Sequence, residues 1–213
     1  MRIALPSGTA AEVAVPDGPT RGLVLAPDIM GLRPLFDDHV ARLAAEHSWA
    51  VAAVEPYPGR EDLPLDERLS GRFDATRMLT DLIDAADHLG QDRTAVLGFC
   101  QGGMTAFRAA GTLRFDKAVS FYGMVRPPAQ WSVPGADPLD MLAKSGASPT
   151  LAIVAGKDRW APPADVEALR ALPNVEVAFY PEADHGFVHD ASRDTHRAAD
   201  AANAWRRLAE FLA

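Results

Sequence analysis

The chain has 213 residues, 48% of them hydrophobic and 23% charged, a composition that suits one globular domain with a full core. Its formal net charge of -8, spread along the chain, argues against nucleic acid and anionic membrane surfaces as partners, since both select basic patches. One cysteine excludes an internal disulfide, and no stretch approaches the roughly 20 apolar residues of a membrane helix. With no signal-like apolar run at the N-terminus, a cytoplasmic protein is expected.

Short apolar runs alternate with helix-period segments. Residues 11–16 alternate in polarity and fit an edge strand. Residues 21–27, 49–55, 94–99, 117–123, 150–156 and 175–181 are strand-length and mostly apolar, as expected when helices cover both faces of a parallel sheet. Between them, Phe36, Val40, Leu43 and Ala44 recur at helical spacing within 36–47. Met78, Leu79, Leu82, Ile83, Ala86 and Leu89 form a wide stripe within 74–89, followed by Gly90 in the place of a left-handed cap. Further helices are predicted over 101–110 and 195–212. Residues 56–72 and 124–149 read as long loops, of the kind that form lids or binding walls. This order predicts a three-layer α/β/α sandwich with a mainly parallel central sheet, as one domain over 1–213.

The single cysteine lies in "VLGFCQGG" (96–103), where a predicted strand meets a predicted helix. Gly98-Phe99-Cys100-Gln101-Gly102 is G-x-C-x-G, a nucleophile elbow with cysteine at its centre. Such a turn holds its central residue in a strained conformation, and the flanking glycines avoid collision between strand and helix. A helix N-terminus favours a thiolate, and the Gln101 N–H is a candidate oxyanion donor. Taken alone, the pattern is equally compatible with a buried core cysteine.

Partners follow in the chain order nucleophile, acid, histidine. "GKDRWAPP" places Asp158 just after a predicted strand, and "EADHGF" places His185 in the loop after the last one. Asp165 and Asp184 are competing acids, but Asp184 adjoins His185 directly, a poor geometry for orienting its ring. His39, His47, His88 and His196 fall in helical patterns and read as solvated. Together Cys100, Asp158 and His185 would cleave an ester through a thioester. The six histidines show no metal-ligand spacing, and a redox role would need a second thiol.

The motifs "LAPDIMGL", "GFCQGG", "GKDRWAPP" and "EADHGF" resemble the dienelactone hydrolase family of α/β-hydrolases over nearly the whole chain. The resemblance implies hydrolysis of small lactones or esters without a metal or organic cofactor, by a monomer or homodimer. It also implies that Asp28, one methylene shorter than the family's usual glutamate, hydrogen-bonds the resting thiol, and that Ile29 supplies a second oxyanion N–H. Two departures affect the substrate. The family's serine and arginine after the histidine are replaced here by Gly186 and His189. Its arginine before the helix at 74–89 has only Arg60 and Arg68 as nearby candidates. Tyr57, Arg126, Trp160 and His189 are the expected substrate contacts, with Trp131 in the same long loop as Arg126; an aromatic-walled pocket would favour a less polar ester. The competing expectation is a hydrolase-like ligand-binding or regulatory protein with weak or no catalysis.

Overall fold

The computed structural model describes all of residues 1–213. The chain opens with β1 (Arg2–Ala4), β2 (Ala10–Ala14) and β3 (Gly22–Ala26), then α1 (Pro34–His47) and β4 (Ala50–Val54). Next come α2 (Leu65–Ser70), α3 (Ala75–Leu89), β5 (Thr94–Phe99), α4 (Gln101–Ala110) and β6 (Ala118–Phe121). After a 3₁₀ turn at Ala129–Trp131 follow α5 (Pro138–Leu142), β7 (Thr150–Ala155), α6 (Pro163–Arg170), β8 (Val175–Tyr180) and α7 (Ala198–Leu212).

All eight strands form one sheet in the order β1-β2-β4-β3-β5-β6-β7-β8. The β1–β2 and β2–β4 pairs are antiparallel, and the five pairs from β4 onward are parallel. β2 is not the edge strand expected from its alternation, because β1 pairs outside it. β3 through β7 are wholly buried, so their apolar runs need no alternation.

Side-chain direction in each strand divides the core in two. Leu23 and Leu25 of β3 pack with Phe36, Val40 and Leu43 of α1 and with Leu208 and Leu212 of α7. Val24 and Ala26 face the other way, with Met78 and Leu82 of α3 and Phe107 of α4. The predicted three-layer arrangement is thus formed, and no helix is long and apolar enough to cross a membrane. The long segments 56–72 and 124–149 are not structureless: they hold α2, the 3₁₀ turn and α5.

Because six consecutive strands of the sheet, from β4 to β8, are parallel, their C-terminal ends share one edge, where a topological switch opens a crevice. β3 and β5 are neighbours there, with Ala26 opposite Gly98. A Cβ added to Gly98 would lie 1.9 Å from the Gly102 carbonyl oxygen, and one at Gly102 would lie 2.0 Å from that of Ala26. Strand and helix can approach this closely only with glycine at both positions. Gly90, by contrast, caps α3 at φ 62° with open space around it. Gly102→Ala is therefore expected to lower unfolding free energy by about 3 kcal/mol or more, through overpacking against rigid backbone. Gly90→Ala should lower it by only about 1 kcal/mol, the strain of a left-handed alanine. Urea denaturation of the two variants checks the ranking.

Candidate active site

Cys100 sits between β5 and α4 with φ 58° and ψ -116°, a conformation that a non-glycine residue holds only when its surroundings impose it. Its N–H donates to the Phe121 carbonyl at 3.0 Å, and its own carbonyl accepts from Met104 N–H at 3.0 Å. Gln101, as the first helical residue, has no intrahelical acceptor for its N–H. The N–H of Ile29, in the turn after β3, donates to no protein group.

The turn after β7 brings the buried Asp158 to the same edge. Its Oδ1 accepts the Trp160 N–H at 2.8 Å and its Oδ2 accepts from His185 Nδ1 at 2.7 Å. Asp184 instead accepts the backbone N–H of His185, and Asp165 is buried against Arg126. Neither rival acid holds the ring. Burial opposes a charge on His185, but the Cys100 sulfur and the Asp158 carboxylate favour it and raise its pKa to about 10.

Asp28 and His189 form a second pair beneath the first. Asp28 accepts Arg33 Nη1 at 2.6 Å and Arg33 Nη2 at 2.9 Å, the Met30 N–H at 3.0 Å, and His189 Nε2 at 2.8 Å. Burial alone would raise the Asp28 pKa, yet His189 and Arg33 hold it well below the usual carboxylate range. None of these hydrogen bonds involves the Cys100 thiol, contrary to the expected contact, because Arg33 and His189 occupy the carboxylate. The other ring nitrogen of His189 meets the Tyr122 hydroxyl, and its carbonyl accepts from His39 Nε2 at 2.8 Å. His39 is therefore buried rather than solvated. Burial lowers its pKa to about 4 and lowers that of His189 as well.

A cleft of about 440 Å³ opens over Cys100, His185, Asp28 and Ile29. Of the expected substrate contacts only Trp160 lines it. Tyr57 is buried, its hydroxyl donating to Gln101 Oε1 at 2.8 Å. Arg126 pairs with Asp165 beside a neighbouring hollow, and His189 is enclosed. Trp131 is also buried, its indole N–H donating to the Gly71 carbonyl. The remaining walls go beyond those expectations: Met30, Leu65 and Leu69 are apolar, Arg33, Arg159 and Arg193 bring positive charge, and Asp190 brings one carboxylate. Arg159 stacks on Trp160, 4.9 Å from a ring centroid. Neither Arg159 nor Arg193 has a carboxylate within ion-pair distance, so two unpaired guanidinium groups line the cleft that holds the thiol. The spacing of Leu65 and Leu69, four residues apart after a proline, was a readable signal for the wall helix.

Residues 9–213 match the model of the dienelactone hydrolase family. Carboxymethylenebutenolidase 2 of Cupriavidus pinatubonensis is 30% identical over 205 residues, covering 89% of this chain and 84% of that one. The carboxymethylenebutenolidase of Pseudomonas putida is 28% identical over 215 residues, covering 92% and 86%. A crystal structure of a candidate dienelactone hydrolase from Klebsiella pneumoniae superposes with a TM-score of 0.83 at 25% identity, covering 100% of this chain and 97% of that one. On this sheet order and these matches, the chain has the α/β-hydrolase fold, belongs to the dienelactone hydrolase family and is a hydrolase of ester or lactone bonds.

Proposed function

We propose that residues 1–213 act as one catalytic domain that hydrolyses small lactones or esters through a Cys100–His185–Asp158 triad, without a cofactor. The observation that carries this reading is the Asp158–His185 hydrogen bond in the same cleft as a cysteine held on a strained strand-to-helix turn.

In this reading the Cys100 thiolate, paired with a protonated His185, attacks the carbonyl carbon and forms a C–S bond. The carbonyl electron pair moves to oxygen, where the Ile29 and Gln101 N–H groups receive it. Collapse re-forms the C=O bond and breaks the C–O bond to the alkoxide, which takes the proton from His185 Nε2; in a lactone this opens the ring. Neutral His185 then removes a proton from water, the resulting hydroxide attacks the thioester, and the C–S bond breaks to return the thiolate and a carboxylic acid. Asp158 fixes the ring with Nδ1 protonated and stabilises the imidazolium.

The unpaired Arg159 and Arg193 favour an ester or lactone that carries its own negative charge, in place of the less polar substrate that an aromatic wall alone would suit. Neither stands at a family arginine position: Arg159 follows β7, and Arg193 lies four residues beyond His189 in the loop after β8.

Cys100→Ala is expected to remove p-nitrophenyl acetate hydrolysis by about 10³-fold or more, and one equivalent of iodoacetamide should do the same to the unaltered protein. A variant that keeps its activity places the chemistry elsewhere. The pH profile gives a second check. With an alkyl ester or lactone as substrate, His185 must carry its proton to release the alkoxide, so activity falls as pH rises through its pKa of about 10. Asp158→Asn removes a group that raises that pKa, so the alkaline limb should move to lower pH while kcat drops by about 10²-fold or more. An unmoved limb would mean that another group limits the rate.

A further inference from the structure

Arg68 is buried to 5% exposure on α2, yet no carboxylate lies within ion-pair distance of it. A buried cation without such a partner is costly, so its contacts must compensate. All of them are backbone carbonyls or a ring face. Nε donates to the Leu63 carbonyl at 2.8 Å, Nη1 to the Ile29 carbonyl at 2.9 Å, and Nη2 to that of Glu61. The guanidinium also lies over the Tyr57 ring, 5.0 Å from its centroid. The nearby buried carboxylate, Glu55, is occupied by the N–H groups of Leu32 at 2.8 Å and Tyr57 at 2.7 Å.

Two of these contacts, to the Ile29 carbonyl and to the Tyr57 ring, lead toward the two proposed oxyanion donors. The turn at residues 28–31 is tied by Met30 N–H to the Asp28 side chain and by Gly31 N–H to the Asp28 carbonyl at 3.0 Å. The first bond holds the Ile29–Met30 peptide by its N–H, and the second holds the Asp28–Ile29 peptide, which carries the Ile29 N–H, by its carbonyl. Arg68 grips the Ile29–Met30 peptide from its other end, at the carbonyl, and so restrains Ile29 from its C-terminal side. On its other side Arg68 presses on Tyr57, whose hydroxyl holds the Gln101 side chain. Leu65 and Leu69, on the same short helix, wall the cleft.

We infer that Arg68 is a positioning residue for the oxyanion hole: by holding the Ile29–Met30 peptide it steadies the adjoining peptide that carries the Ile29 N–H, and it joins this turn to the helix that walls the cleft. The inference rests on the proposed role of Ile29 and Gln101, and it makes Arg68 a grip on the backbone instead of a counterpart to the family's substrate-binding arginine. Misplacing a preorganised donor by a fraction of an ångström weakens transition-state binding while leaving ground-state binding almost untouched.

The test compares two reactions of Cys100 in the full chain. Ester hydrolysis passes through an oxyanion, whereas alkylation by iodoacetamide needs the activated thiolate but no oxyanion hole. In Arg68→Ala, kcat for p-nitrophenyl acetate should fall by about 10²-fold, with KM changed less than about 3-fold and the alkylation rate unchanged. Millimolar guanidinium chloride, occupying the vacated space, should restore part of the lost kcat. Arg68→Lys, which can reach fewer of the three carbonyls, should show a smaller loss of the same kind, and it decides the matter by the same two rates if the alanine variant does not fold. An unchanged kcat, or equal losses in hydrolysis and alkylation, would overturn the inference by reducing Arg68 to a support of the fold. An unaltered protein that still turns over ester after complete Cys100 alkylation would instead sink the proposed function on which it rests.

Discussion

The close approach of β3, β5 and α4 is the constraint on which the site depends. With no side chain at Gly98 or Gly102, the first turn of α4 lies against the Ala26 carbonyl. The chain between strand and helix then has only one residue in which to reverse, and Cys100 takes the strain. That places the sulfur at the N-terminus of a helix, beside the β3 turn that carries Ile29. Loops after β7 and β8 have only to reach the same edge, which the parallel sheet ensures.

Two histidine–carboxylate pairs lie within this edge and behave oppositely. His185 meets Asp158, whose second oxygen takes only a backbone N–H, and it faces the Cys100 sulfur; both surroundings favour its charged form. His189 meets Asp28, a carboxylate already neutralised by a bidentate guanidinium. With little net negative charge left to offset burial, His189 is pushed toward neutrality. A neutral ring can donate from Nε2 to Asp28 and accept the Tyr122 hydroxyl proton at Nδ1, so its bonds are satisfied without charge. The outer pair is suited to moving a proton, and the inner pair to holding the floor of the cleft.

Much of this was legible before folding. β5 and α4 occupy the spans expected of them, because an uninterrupted apolar run followed by a helical stripe leaves few alternatives. Asp158 and His185 were legible because each follows such a run, and the fold puts strand ends together. The features that spacing and composition hide have physical reasons. β1 is a three-residue edge strand with no apolar run, α5 is too short for a periodic signal, and α2 offers only the one Leu65–Leu69 pair. His39 was readable in part: it falls three residues after Phe36 on the buried stripe, but its polarity masked that position. Arg33, Arg159 and Arg193 reach the cleft from three segments, a convergence that spacing cannot reveal. Tyr57 and Arg126 were expected in the cleft because long loops carry specificity, whereas one is buried beneath it and the other is taken by Asp165.

The thioester is the central claim, and intact-mass measurement after rapid acid quench reads it directly. Mixing the protein with p-nitrophenyl acetate should yield a species heavier by one acetyl group, mapped to the peptide containing Cys100 and released by neutral hydroxylamine. Turnover with the acetyl group on another residue, or with no adduct at any time before the steady state, would contradict it.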